Sequence, residues 1–164
     1  MKYSNVNIET FGYELAPNVV TTEDLEVRLK TVFNTLRFQT GQLEALTGII
    51  ERRYWEPDFP MHEGAARAGK KAISSSNIPL DQIGMLIYAG VCRDNLEPAT
   101  ACATANAIGI RPDAQVYDIS NACLGVLNGM VQAANAIELG QIKAALVVSC
   151  ESAERIVDLT IDRL

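Results

Sequence analysis

The chain is 164 residues long and carries 14 Lys+Arg against 20 Asp+Glu, a net charge of −6 with a pI near 4.8. Its 48% apolar and 21% charged residues are the balance of an ordinary globular domain, long enough to bury a core without disulfide or metal staples. The acidic balance argues against nucleic-acid binding, no stretch approaches the ~18 apolar residues of a membrane span, and the start at Met1–Asn5 lacks a signal peptide's apolar run. A single cytoplasmic domain is therefore expected. Cys92, Cys102, Cys123 and Cys150 include no CxxC pair and no His at ligand spacing, which argues against a zinc site or a bound cofactor metal. Small buried hydrophobes is the expectation for at least three of them.

In chain order, Val6–Leu15 reads as a strand, with Val6, Ile8, Phe11 and Tyr13 favouring it. Thr21 or Thr22 can cap a helix from Glu23 whose apolar face is Leu25, Leu29, Val32, Phe33 and Leu36. A short helix around Leu43–Leu46 ends at Gly48, Ile49–Trp55 is extended, and Pro57 and Pro60 mark a loop. His62–Ser76 is a helix rich in small residues, suited to close packing. Met85–Val91 is an apolar run typical of a strand buried on both faces. Pro98 fits the first turn of a helix to Ile108, because its missing N–H costs nothing there. Gln115–Ile119 is a strand, Cys123–Leu139 a helix, Ala144–Cys150 a strand and Glu154–Leu164 a last helix. This alternation implies an α/β fold with a mainly parallel sheet flanked by helices on both faces.

Cys123 follows directly on a strand and opens a predicted helix, where free backbone N–H groups and the helix dipole favour a thiolate. Open α/β folds place their sites at this end of the sheet. Behind it, Gly125 and Gly129 allow close backbone approach. The other cysteines lack this position.

The run Asp118-Ile119-Ser120-Asn121-Ala122-Cys123-Leu124-Gly125 resembles the nucleophile segment of the thiolase-superfamily ketoacyl synthase III family. Thr47-Gly48-Ile49 with Glu51-Arg52-Arg53, Asp81-Gln82-Ile83 leading to Leu86-Ile87-Tyr88, Pro98 to Gly109, and Leu146-Val147-Val148 with Glu151 follow in that family's order. A narrower run, Val91 to Thr100, with Cys123 twenty-six positions after Glu97, is similar to the acyl-CoA condensing enzymes of bacterial head-to-head olefin synthesis. The resemblance implies a thiolase-like layered fold and an acyltransferase. In such an enzyme Cys123 carries an acyl chain as a thioester, and Glu97, on a dimer loop, acts as base in the partner's site. The reaction implied is a non-decarboxylative Claisen condensation of long-chain acyl-CoA to a 3-oxoacyl product. The chemistry suits both residues: a thiolate forms thioesters readily, and without decarboxylation a carboxylate must take the α-proton. A decarboxylating 3-oxoacyl-ACP synthase III is the first alternative, and a non-catalytic half-length subunit or fragment needing a partner chain is the second.

Three departures from the family pattern stand out. The His and Asn that support the family's cysteine have no counterparts here; the one histidine, His62, reads as a surface or helix-capping residue. The positions of the family's CoA-contacting Trp and Arg hold Gln42 and Leu46, and Trp55 reads as packing rather than a substitute. The Arg52-Arg53 and Lys70-Lys71 pairs read as solvated faces. The resemblance thus makes residues 1–164 a thiolase-like N-terminal domain, with the His/Asn half expected on further sequence or on a partner chain. Acyl-CoA or acyl carrier protein is the implied substrate and a homodimer the implied assembly, with no bound cofactor. The last predicted helix keeps its periodic pattern to Leu164 without a Gly or Pro stop.

Overall fold

The computed structural model describes residues 2–163, Arg155 by its backbone alone. The elements in order are β1 (Asn18–Thr21), α1 (Thr22–Arg28), α2 (Lys30–Leu36), α3 (Gln42–Thr47), β2 (Glu51–Tyr54), α4 (Met61–Ser74), β3 (Ile83–Tyr88), α5 (Thr100–Ile108), β4 (Gln115–Asp118), α6 (Gly125–Glu138), β5 (Ala144–Val148) and α7 (Glu154–Ile161). Single 3₁₀ turns occupy Leu80–Gln82 and Ala122–Leu124. The chain divides into two compact units, residues 1–14 with 60–151 and residues 15–59 with 152–164.

The first unit is built on a parallel sheet in the order β4-β3-β5, with Tyr88 opposite both Asp118 and Val148. β3 is central, and Met85, Leu86, Ile87 and Tyr88 are all buried, as a strand apolar on both faces must be. On one face Met85, Ile87 and Ala89 pack with Ala133 and Ala136 of α6. On the other, α4 presses in through its small residues: a Cβ on Gly69 would lie 2.9 Å from the Ile108 side chain and 3.2 Å from that of Leu146. Both faces of the sheet are covered, as the strand–helix alternation predicts.

The carboxyl end of β3 gathers the neighbouring segments. Its ladder continues past the strand, with Ile119 N–H donating to Tyr88 O (2.8 Å) and Ala89 N–H to Val148 O (2.7 Å). A Cβ on Gly125 would sit 2.7 Å from Ala89 O, so only glycine lets α6 begin this close to β3. The single O–H of the fully buried Tyr88 lies within reach of both Cys92 O (2.6 Å) and Cys150 O (2.7 Å), which share it, joining the chain beyond β3 to the chain beyond β5. Burial, reinforced by the negative potential of Cys150 and Glu151, pushes the Tyr88 phenol far above its ordinary range, so it remains a neutral donor.

The segment Val6–Leu15 is not a strand; the first strand is Asn18–Thr21. Within the first unit the N-terminal segment is held by side chains instead of a ladder. Tyr3 Oη donates to Asn135 Oδ1 (2.9 Å), and the Ser4 and Asn5 N–H groups donate to the Glu138 carboxylate (2.9–3.1 Å). Gly12 lies against the α4 backbone, where a Cβ would be 2.4 Å from Ala68 O. Its alternating apolar residues carry the pattern of a strand without a paired neighbour, and Phe11 and Tyr13 stay 79% and 74% exposed.

In the second unit β1 and β2 form an antiparallel ribbon. Thr21 is the cap of α1, in a reciprocal box with Asp24 that holds the Asp24 carboxyl below its usual range. The single helix expected from Glu23 is interrupted at Leu29, where ψ swings to 9°, before hydrogen bonding resumes from Phe33 N–H to Leu29 O. Arg52 is not merely a solvated charge: its guanidinium donates to Thr21 O (3.1 Å) and Thr22 Oγ1 (3.0 Å). Trp55 is buried and stacked on Phe59, with centroids 4.1 Å apart, so it packs as expected. The buried Glu26 carboxylate accepts from Gly41 N–H (2.6 Å) and Leu43 N–H (2.8 Å), fixing the start of α3. The last predicted helix is α7, which closes at Ile161; Leu164 lies outside the described residues.

Tyr88→Phe removes the one donor that two main-chain carbonyls share and should destabilise the protein by about 1–3 kcal/mol, measured by chemical denaturation. Gly125→Ala forces backbone apart at the β3–α6 contact and should cost about 1–3 kcal/mol in the same measurement.

Candidate active site

The strand β4 ends at Asp118 and the chain turns through Ser120 and Asn121 into the 3₁₀ turn that contains Cys123. The thiol therefore sits one turn ahead of α6, not on its first residue as the pattern suggested. The turn is shaped by Ala122, whose φ of +43° lies in the left-handed region and costs a non-glycine residue about 1 kcal/mol. Leu124 N–H closes the turn on Asn121 O (2.9 Å), and Asn121 Nδ2 donates to Asn128 Oδ1 (2.5 Å). Because Gly125 seats α6 against Ala89, Cys123 is held at the carboxyl edge of the parallel sheet and its side chain is exposed. The expectation for the other cysteines needs correction: only Cys150 is buried, Cys92 is intermediate, and Cys102 on α5 is exposed.

Glu97 lies on the loop between β3 and α5, is exposed, and precedes Pro98 through a cis peptide. Pro98 is not inside the helix; α5 begins at Thr100 and takes its cap from another element. Asp118, at the end of β4, accepts from Thr100 N–H (3.0 Å) and Ala101 N–H (2.8 Å), placing a negative charge at the positive end of the helix. Arg93 Nε lies 3.7 Å from the same carboxylate. Two further acids hold the loop. Glu151 accepts from Val91 N–H (2.7 Å) and Cys92 N–H (3.0 Å). Asp94 accepts from Met61 N–H (2.6 Å), His62 N–H (3.1 Å) and the His62 ring Nδ1 (2.5 Å). The loop is thus tied at its root and middle while Asn95, Leu96 and Glu97 project; Leu96 is 88% exposed.

His62 is accordingly neither free at the surface nor a cap through its own side chain; its ring is a partner of Asp94 at the start of α4. The anchoring roles of Asp94, Asp118 and Glu151 escape a sequence reading, although an acid beyond a strand end is the available signal. Gln42 and Leu46 stand at the start and end of α3. Gln42 Oε1 accepts from Gln39 N–H (3.0 Å) beside an open depression bordered by Arg37 and Thr40, and Leu46 is 70% exposed. Among the described residues no group of three or more His, Cys, Asp or Glu side chains is placed to hold a metal, and no helix is long and apolar enough to cross a membrane.

Residues 117–164, from the end of β4 through the Cys123 turn to α7, match the 3-oxoacyl-(acyl-carrier-protein) synthase III family. Over all 164 residues the chain is 54% identical to the acyl-CoA:acyl-CoA alkyltransferase of Shewanella oneidensis, covering 47% of that protein. Over 154 residues it is 34% identical to beta-ketoacyl-(acyl-carrier-protein) synthase III 1 of Bacillus cereus, again 47% of the relative. Crystal structures of Xanthomonas campestris OleA superpose with TM-scores of 0.89. A Cys→Ser variant with bound lauric acid and lauroyl-CoA is 34% identical over 99% of this chain and 48% of that one. A Glu→Asp variant is 35% identical over 99% of this chain and 50% of that one. The chain spans about half the length of the curated relatives it matches. It has a thiolase-like fold and is homologous to the ketoacyl synthase III family, with OleA-type acyl-CoA:acyl-CoA alkyltransferases among its relatives.

Proposed function

We propose that the protein containing this chain is a thiolase-type acyltransferase that joins two acyl thioesters, with Cys123 as acyl acceptor and Glu97 as base. The Cys123 thiolate attacks the carbonyl of a first acyl-CoA and expels the CoA thiolate, leaving the acyl chain as a thioester on Sγ. The Cys123 N–H, in the turn before α6, would donate to the oxyanion of that step. Glu97 from a partner copy then removes an α-proton from a second acyl-CoA. The resulting carbanion attacks the Cys123 thioester, forming the C–C bond, breaking the C–S bond and restoring the thiolate. The product is a 3-oxoacyl thioester, and no carbon dioxide is released. Supporting His and Asn side chains come from outside these residues.

The spacing of the two side chains carries this reading. The glutamate and the cysteine substituted in the two Xanthomonas structures are 26 positions apart, as are Glu97 and Cys123. Their setting agrees with the roles: an exposed thiol on a strained turn, and an exposed carboxylate at the tip of a tied loop. Lauroyl-CoA bound to one of those relatives favours long acyl chains. The 3-oxoacyl synthase III match favours a second reading, a decarboxylating enzyme that would take a malonyl group on carrier protein.

In protein expressed from the complete reading frame, Glu97→Ala should lower condensation by about a hundredfold or more, within the range of a lost general base, while the first release of CoA is kept. Loss of both steps, or of neither, contradicts the assignment. Product formed from two simple acyl-CoA molecules separates the first reading from the second, which requires a malonyl donor and releases carbon dioxide.

A further inference from the structure

The Glu97 loop is bound to α4 by one carboxylate that the proposed chemistry does not use. Asp94, three residues before Glu97, is only 17% exposed in its side chain. Its Oδ1 accepts from Met61 N–H (2.6 Å), and its Oδ2 accepts from His62 N–H (3.1 Å) and His62 Nδ1 (2.5 Å). A carboxylate can only accept here, so the His62 ring carries its hydrogen on Nδ1. Asp94 N–H in turn donates to Thr100 Oγ1 (3.3 Å), at the start of α5. One residue therefore links the loop to the amino ends of two helices on the same face of the sheet. Pro60, the cap position of α4, has no side chain able to serve as a cap, so the helix depends on Asp94 for its first N–H groups. The tip beyond it, Asn95 to Glu97, is exposed throughout.

We infer that Asp94, oriented by the His62 ring, is a positioning residue for Glu97: it fixes the direction in which the loop tip presents its carboxylate without touching substrate. This rests on the reading of Glu97 as base. Cys123 lies on a different turn, held by Gly125 and Asn121, so its acylation does not depend on the Asp94 anchor.

The test uses protein from the complete reading frame, supplied with two acyl-CoA molecules, and follows CoA release at Cys123 separately from condensed product. Asp94→Ala should lower the turnover number of condensation by about tenfold or more, the scale of a misplaced catalytic group, with KM for the second acyl-CoA and the acylation rate within about twofold of wild type. His62→Ala should show the same selective loss. His62→Asn should restore most of it, because the Asn Nδ2 donor replaces Nδ1. Should Asp94→Ala fail to fold, the two His62 variants decide alone. A parallel fall in acylation and condensation, no loss of condensation, or no difference between His62→Ala and His62→Asn overturns the inference. Glu97→Gln is run alongside. If it is inactive in condensation while Asp94→Ala and His62→Ala are normal, the positioning role fails and the base survives. If it condenses normally, the base reading fails and takes the positioning role with it.

Discussion

The candidate site depends on how the chain leaves the carboxyl end of β3. This strand is buried on both faces, so its path is set by packing from α6 on one side and from α4 and α5 on the other. Both candidate side chains are referred to its last residues. The Cys123 turn is located by the contact of Gly125 with Ala89 O, and the Glu97 loop departs from Gly90 under the Tyr88 hydroxyl. A Cβ on Gly90 would fall 2.7 Å from the Tyr88 ring, so the loop leaves the strand directly over that ring. A buried, rigid strand end thus supplies a common reference for two exposed and otherwise independent groups.

Electrostatics completes what packing begins. Asp94 and Asp118 accept from the first N–H groups of α4 and α5, and Glu151 accepts from two N–H groups at the root of the loop. Each carboxylate supplies hydrogen bonds that backbone groups would otherwise lack, and the first two also meet the positive end of a helix. The acids come from elements remote in sequence, so the capping of the helices and the course of the loop are settled together. Arg93, whose guanidinium faces Asp118, ties the same loop to the end of β4.

Much of this was legible in the sequence where the signal is local. The continuous apolar run that became β3, the small residues of α4 and the glycines behind Cys123 all carry their packing role in residue type. The thiol's place at a strand end was likewise readable, although the intervening 3₁₀ turn was not, since one turn of either helix has the same pattern. The alternating N-terminal segment is not a strand for a physical reason: periodicity reports which residues suit a strand, not whether a neighbouring edge is present to pair with it. Arg52, Asp94, Asp118 and Glu151 were beyond reach because their partners lie about 18 to 60 residues away, and only the fold brings such groups together. The expectation that three cysteines would be buried followed residue type, whereas Cys102 occupies the outward side of α5.

Residue-resolved mass spectrometry after brief incubation with a long-chain acyl-CoA tests the central claim most directly, because Cys102 provides a second exposed thiol in the same chain. With Glu97→Ala protein from the complete reading frame, which keeps acylation but cannot discharge the thioester by condensation, an adduct on Cys123 and none on Cys102 is the predicted result. Acylation spread equally over both thiols, or CoA released with no adduct on Cys123, would contradict the account.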